Sequence, residues 1–250
     1  MSIWQQCNGN RYKTAIQTSV VRVVESQEQV ATMMLVDNST EQAILEDLLE
    51  ATKPQPPAQS AAYHYLIKTP FRYPPLRHGS RFGSAAQPGI FYASLQLKTA
   101  LAECAYYRLY FLSGMQELPE KHLVTEHTTF KVNIDTDAGI ALEQKPFKQF
   151  TNAISNPVNY AISQQLGSDL RDSGVAVFTY QSARDRLYGL NAGIFTITSI
   201  KSRKPHALQE WLCSTAATNV TFVSKLNKET RYSFELEEFL LHGKLPQPSI

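Results

Sequence analysis

The twenty residues from Pro70 to Gly89 hold four prolines and three glycines and show no hydrophobic period. A stretch this long without a helix or strand pattern is uncommon inside a compact domain, where it often serves as a binding loop. It also carries Arg72, Arg77 and Arg81. The next segment is regular. Ile90-Phe91-Tyr92 has the character of a short strand, Ser94 is a suitable N-cap, and Leu95 to Phe111 keeps a helical period. On that helix Leu97, Leu101, Ala105 and Leu109 form one row, while Glu103, Tyr107 and Tyr110 recur on another face. The helix can therefore pack on a core with one side and turn a carboxylate towards a cleft with the other.

The remaining elements alternate irregularly. Val20 to Val24 and Met33 to Val36 are short apolar runs. Glu41 to Ala51 reads as a helix capped by Thr40, with Ala43, Ile44, Leu48 and Leu49 as its apolar face. Thr52 to Ala62, with Pro54, Pro56 and Pro57, reads equally as a domain boundary and as a surface loop. Thr129 to Ile134 alternates like a half-buried strand. Asn156-Pro157 should open a helix with the stripe Val158, Ala161, Ile162, Leu166 and Leu170, stopped by Gly174. Val175 to Tyr180 and Gly193 to Ile200 read as strands, and Val220 to Leu226 with Tyr232 to Leu236 as a closing hairpin. This order predicts an α+β fold and not an even βαβ alternation. It divides into an N-terminal extension, residues 1–62, packed on a core of residues 63–250, the two forming one compact unit.

Charge argues against a nucleic-acid partner, because 24 basic and 22 acidic residues leave a net charge of only +2. Cys7, Cys104 and Cys213 are odd in number and widely spaced, which fits a reducing compartment better than a disulfide framework. His122 and His127 lack the companions of a metal site, so no metal is expected. The first ten residues have no signal-like apolar core, and no run reaches membrane-spanning length, so the expected location is cytoplasmic. No G-x-G-x-x-G or phosphate-binding P-loop occurs, which argues against a Rossmann dehydrogenase even if the ligand is a dinucleotide.

Arg81, Tyr92 and Glu103 instead recur at equal intervals of eleven, in a loop, a strand and a helix. A glutamate among Leu101, Ala102, Cys104 and Ala105 is costly to bury unless it is paired or used. An anion binder, an aromatic face and a carboxylate together suit a ligand with phosphates, a flat base and a sugar hydroxyl. Nicotinamide adenine dinucleotide, NAD, has all three.

Gly79-Ser80-Arg81-Phe82, Phe91-Tyr92-Ala93-Ser94 and Thr99-Ala100-Leu101-Ala102-Glu103 together resemble the core of the RES domain, named for its arginine, glutamate and serine. The family's serine element resembles Tyr180-Gln181-Ser182-Ala183-Arg184, followed by Asn191. The resemblance spans about residues 65–210, with Glu25-Ser26-Gln27 and Pro70-Phe71-Arg72-Tyr73 similar to blocks of longer members. Many members carry Gly-Gly-Arg-Trp where this chain has Gly-Ser-Arg-Phe, a change that keeps the aromatic.

The resemblance implies an ADP-ribosyltransferase-like fold, a split mixed β-sheet with flanking helices. It also implies a bacterial toxin that consumes NAD as substrate, needs no further cofactor, and is held inactive by an Xre-type antitoxin. Arg81, Tyr92 and Glu103 would then carry the chemistry. Arg81 would bind the diphosphate, Tyr92 would stack on nicotinamide, and Glu103 would stabilise the cationic sugar. Ser182 would bond the ribose or nicotinamide amide, and Arg184 and Arg72 would add phosphate contacts. Ser182 and Arg184 read equally as ordinary turn residues. Water, phosphate or a protein side chain can accept the ADP-ribose, and a non-catalytic binding module is the rival of another class. Self-association into a homo-oligomer stays open.

Overall fold

Two long strands organise the molecule: β1 (Thr14–Glu25) and β3 (Leu123–Ala141). Both are rich in Thr, Val and Ile, which suit a pleated surface. They pair antiparallel from Thr14 opposite Gly139 to Glu25 opposite His127. The structure is a computed structural model that describes residues 1–26, 38–52, 54–55, 57–73, 79–117 and 122–248. The apolar run Met33 to Val36 and Arg77 lie outside the described residues.

At β3 the sheet divides. Its N-terminal part pairs with β6 (His206–Thr215), and β7 (Asn219–Ser224) and β8 (Arg231–Glu235) continue antiparallel from there. Its last residues, Gly139 to Ala141, instead pair in parallel with β4 (Val177–Gln181). β4 pairs with β5 (Leu190–Ile194), β5 with β2 (Phe91–Ser94), and β2 returns to β1 through Val21 opposite Ser94. β1, β2, β5, β4 and β3 thus close a ring, and β6 to β8 leave it as an open wing. The expected α+β fold with a split, mixed sheet is what the chain forms.

Alternation along the ring strands separates two cores. Phe91, Ala93, Val177, Ala192 and Ile194 join Val20, Phe130, Val132 and Ile134 in one core, with Ile67 of helix α3 (Tyr65–Arg72). Phe178 and Tyr180, one residue out of step, join a second core with Phe82, Phe147, and Leu166 and Leu170 of helix α6 (Ala161–Asp172). Short helix α1 (Ile3–Gln6) adds Ile3 and Trp4 there. Gly193 sits opposite Phe178, and a Cβ would lie 2.1 Å from that ring, so only glycine lets the ring lie over the strand. Helix α4 (Leu97–Ser113) packs Leu101, Ala105 and Leu109 against Trp211, Val220, Phe222 and Phe234 of the wing.

Several boundaries differ from the sequence pattern. Helix α2 (Ser39–Thr52) starts before Thr40, because the Asn38 side chain caps the Thr40 and Glu41 amides. The expected face Ile44, Leu48 and Leu49 is exposed. Pro70 lies inside α3, where it offers no amide to the Leu66 carbonyl, and the helix ends two residues later at Arg72. Ser94 belongs to β2, and α4 begins at Leu97. The Asn156 side chain accepts from the Val158 and Asn159 amides, making a turn, so α6 begins only at Ala161, and Ile162 is exposed. Gly174 stops α6 as expected, with φ of 72°. β5 ends at Ile194, and a 3-10 turn at Ile197–Ser199 replaces the rest of the expected strand. Short helix α5 (Thr151–Ile154) and strand β6 have no sequence counterpart. Among the described residues no helix is long and apolar enough to cross a membrane.

Candidate active site

The turn carrying Arg81 is fastened from three sides. The Ser80 amide donates to the Gly83 carbonyl at 2.7 Å. The Tyr92 hydroxyl lies 2.8 Å from the Ser80 hydroxyl and accepts the Phe82 amide at 3.0 Å. Phe82 is fully buried between Phe178 and Tyr180, with ring centroids 4.6 and 4.7 Å away, which contributes about 1.5–3 kcal/mol of burial. Helix α6 approaches through Gly167, where a Cβ would fall 1.9 Å from the Phe82 carbonyl oxygen. The Gly79–Gly83 turn is therefore a rigid mount.

Arg81 is only 9% exposed. Its Nη1 donates to the Asn156 carbonyl at 2.6 Å, its Nη2 reaches the Tyr160 hydroxyl at 3.3 Å, and the guanidinium lies 4.4 Å over the Tyr160 ring. Burial works against its charge, but Tyr160, Tyr180 and Glu103 outweigh that and hold its pKa above the usual value. The turn at Asn156-Pro157, expected to start a helix, is what supplies the carbonyls that hold the arginines.

Glu103 stands on the other wall. Ser182 Oγ donates to its Oε1 at 2.6 Å, and so does Asn191 Nδ2 at 2.6 Å. The directions follow from the network. Ser182 Oγ already accepts the Arg184 and Asp185 amides, each at 3.0 Å, and Asn191 Oδ1 accepts from Ser94 at 2.7 Å. Two charge-assisted bonds thus fix one carboxylate oxygen, and Oε2 makes no hydrogen bond with the described residues. Thr99 bonds Asp185 at 2.8 Å and ties the β4–β5 loop to α4 behind this network.

Arg81, Tyr92 and Glu103 line one cleft of about 730 Å³, a volume within the usual range for small-molecule sites. Tyr107, Tyr110, Tyr160 and Tyr180 also line it. Burial pushes Tyr92 up to about 12 and raises Tyr107 and Tyr180 as well, so these phenols stay neutral at physiological pH. Burial also pushes the Cys104 thiol up to about 12, which makes it a poor nucleophile. Among the described residues the charged groups of the lining are Arg22, Arg81 and Glu103.

The other expected contacts fall outside the lining. Ser182 is buried behind Glu103 and orients it. Arg184 lies 3.5 Å over the Tyr106 ring and donates to the Pro157 carbonyl at 2.7 Å, so it braces the 156–160 turn. Arg72 Nε donates to the Pro54 carbonyl, while its neighbours Pro70 and Tyr73 reach the cleft. Arg22, Asn191 and Tyr160 were not marked as site residues by the sequence pattern. For Arg22 a signal existed: it is a cation inside the apolar run Val20 to Val24, the same anomaly that marks Glu103.

No curated protein matches the chain. A crystal structure of the M. tuberculosis MbcT–MbcA toxin–antitoxin complex is similar to it over 93% of this chain and 90% of that one, at 10% identity and a TM-score of 0.46. The RES domain matches residues 56–214, from the segment before α3 to the end of β6. That span is more than half of the 250 residues and contains Arg81, Tyr92, Glu103, Ser182 and Asn191, so the chain belongs to the RES domain family.

Proposed function

We propose that this protein degrades NAD by cleaving the nicotinamide–ribose bond, and that it is the toxin of a bacterial toxin–antitoxin pair. One observation carries the chemistry. A carboxylate pinned by Ser182 and Asn191 shares a cleft with a rigidly mounted arginine and several neutral aromatic rings. Bond cleavage builds positive charge on the ribose, and the free Oε2 of Glu103 is the group to stabilise it. Fixing Oε1 beforehand spares reorganisation at the moment of reaction. Arg81 keeps donor capacity beyond its two protein bonds, enough to hold a diphosphate oxygen. The Tyr92 hydroxyl is engaged by the turn, so its role is the ring face against nicotinamide.

ADP-ribose then passes to water or to phosphate. An Xre-type antitoxin, as the family resemblance implies, would hold the enzyme inactive in the cytoplasm. The test is product analysis of purified protein with NAD, with and without phosphate. Nicotinamide with ADP-ribose marks hydrolysis, and nicotinamide with phosphorylated ADP-ribose marks phosphorolysis. Absence of nicotinamide release overturns the proposal, and release only when a protein acceptor is added redirects it to protein ADP-ribosylation.

A further inference from the structure

Tyr110 and Pro248 line the cleft, and the chemistry proposed above gives neither a role. Pro248 comes from beyond residues 56–214, the stretch that matches the family. The chain reaches it from the wing. After β8, Phe239 packs with its ring centroid 6.1 Å from that of Tyr106, and the Leu241–Lys244 turn reverses the chain. Leu245 then packs against the apolar core beneath α4, and Pro246 is buried. The Tyr106 hydroxyl donates to the Pro246 carbonyl, which latches this tail to α4. Prolines at 246 and 248 fix the backbone and favour an extended run from the latch to the cleft.

Helix α4 sets the distance between the two ends of the site. Glu103, Tyr107 and Tyr110 share one face, and all three line the cleft. Tyr110 lies about 10 Å along the helix axis from Glu103. Tyr107 stands between them, within electrostatic reach of both Glu103 and Arg81. The Tyr110 ring is held at 18° to the Tyr106 ring, with centroids 6.1 Å apart, so its orientation is set by the helix and not by a ligand. In NAD, two phosphates and a second ribose separate the reacting ribose from the adenine, a span of the same order. With that ribose at Glu103 and the diphosphate at Arg81, the adenine falls at Tyr110 and Pro248. A flat, uncharged purine stacks on aromatic faces and needs no counter-charge.

We infer that Tyr110 and Pro248 form the subsite for the adenine of NAD, with the C-terminal tail as one of its walls. The inference rests on the NAD reading and adds to it a preference for the dinucleotide over smaller nicotinamide nucleotides.

The test compares cleavage of NAD and of nicotinamide mononucleotide, which lacks the adenine half, by the wild type, Tyr110→Leu, Pro248→Gly and Tyr106→Phe. The last variant removes only the latch hydroxyl, keeps the ring, and lies outside the lining, so it guards against local damage in the other two. In the wild type kcat/KM should favour NAD by at least about tenfold. That preference should fall about tenfold in Tyr110→Leu and Pro248→Gly, chiefly through a higher KM for NAD, and by a smaller factor in Tyr106→Phe. If the mononucleotide is not cleaved at all, the KM for NAD is the readout. A preference, or a KM, that survives both Tyr110→Leu and Pro248→Gly overturns the inference while leaving NAD cleavage intact. Faster NAD cleavage in Pro248→Gly and Tyr106→Phe also overturns it, because the tail would then be an obstruction. A wild type that cleaves neither nucleotide fails differently: the NAD reading itself falls, and the adenine subsite with it.

Discussion

The ring and the wing share β3, yet they use their side chains differently. In the wing, Trp211, Cys213, Val220, Phe222 and Phe234 turn into one apolar core beneath α4. In the ring, the strands place Tyr92, Tyr180 and Asn191 in the lining of the cleft, where Tyr92 and Asn191 make side-chain hydrogen bonds. No residue of β6, β7 or β8 lines the cleft. The wing holds α4 from behind, and the ring lines the cleft. α4 serves both, with Leu101 and Ala105 on one side and Glu103 and Tyr107 on the other. Stability and chemistry are thereby separated in space, which lets a costly polar network persist at the site.

The strongest test of that separation is Phe222→Ala. Phe222 is fully buried beside His127 and Phe234, so the variant should lose about 3–5 kcal/mol in denaturant unfolding. NAD cleavage per folded molecule, measured well below the melting point, should stay near the wild-type value. Lost turnover in protein that is still folded would break the comparison.

Glu103→Gln is the converse. Turnover should fall at least about a hundredfold, roughly 2.7 kcal/mol of barrier, while the melting temperature barely moves. A near-normal rate would remove Glu103 from the mechanism.

Asn191→Ala tests the pinning of Oε1. Ser182 still holds that oxygen, so kcat should fall only about tenfold with KM nearly constant. An equal rise in KM would mean that Asn191 touches the substrate.

The smallest effect belongs to His127 of β3, which packs edge-on against Phe222 of the wing. Burial first, then Arg108, lowers the pKa of His127 below its ordinary value of 6.5, with Glu25 opposing. The unfolded chain therefore binds a proton that the folded chain resists as pH falls below 6.5. Stability from this group is complete above that value and declines towards the folded pKa. Melting temperatures from pH 7.5 down to about 5 should fall less steeply for His127→Gln than for wild type. His64, also lowered mainly by burial, contributes with the same sign in both proteins. Equal slopes would exclude His127 as a source.

What the sequence made legible was local. The two faces of α4, the strand at Tyr92, the stop at Gly174 and the last hairpin each depend on periodicity or a turn residue within one segment. Arg81, Tyr92 and Glu103 were legible through spacing and resemblance, and the structure brings them to one cleft. The rest depends on partners far along the chain. The polar ends of β1 and β3 become strand only by pairing with each other, and β6 only by lying beside β3. Asn156 has the chemistry of a helix cap, but the fold uses its turn to present a carbonyl to Arg81. Ser182 and Arg184 sit on a polar turn whose sequence gives no hint that one points at Glu103 and the other stacks on Tyr106.

The two tryptophans fall one on each side of this division. Trp4, stacked on Phe147 with centroids 6.0 Å apart, belongs to the core beneath the Arg81 turn, and Trp211 is fully buried in the wing. Neither lines the cleft, which is faced by tyrosines instead. The molecule therefore carries its own optical labels. Indole emission from Trp4→Phe and Trp211→Phe proteins would follow the wing and the ring separately during unfolding, while tyrosine absorbance would register a ligand entering the cleft. Coincident indole transitions would establish that the two regions melt as one cooperative unit, and staggered ones would show which of them yields first.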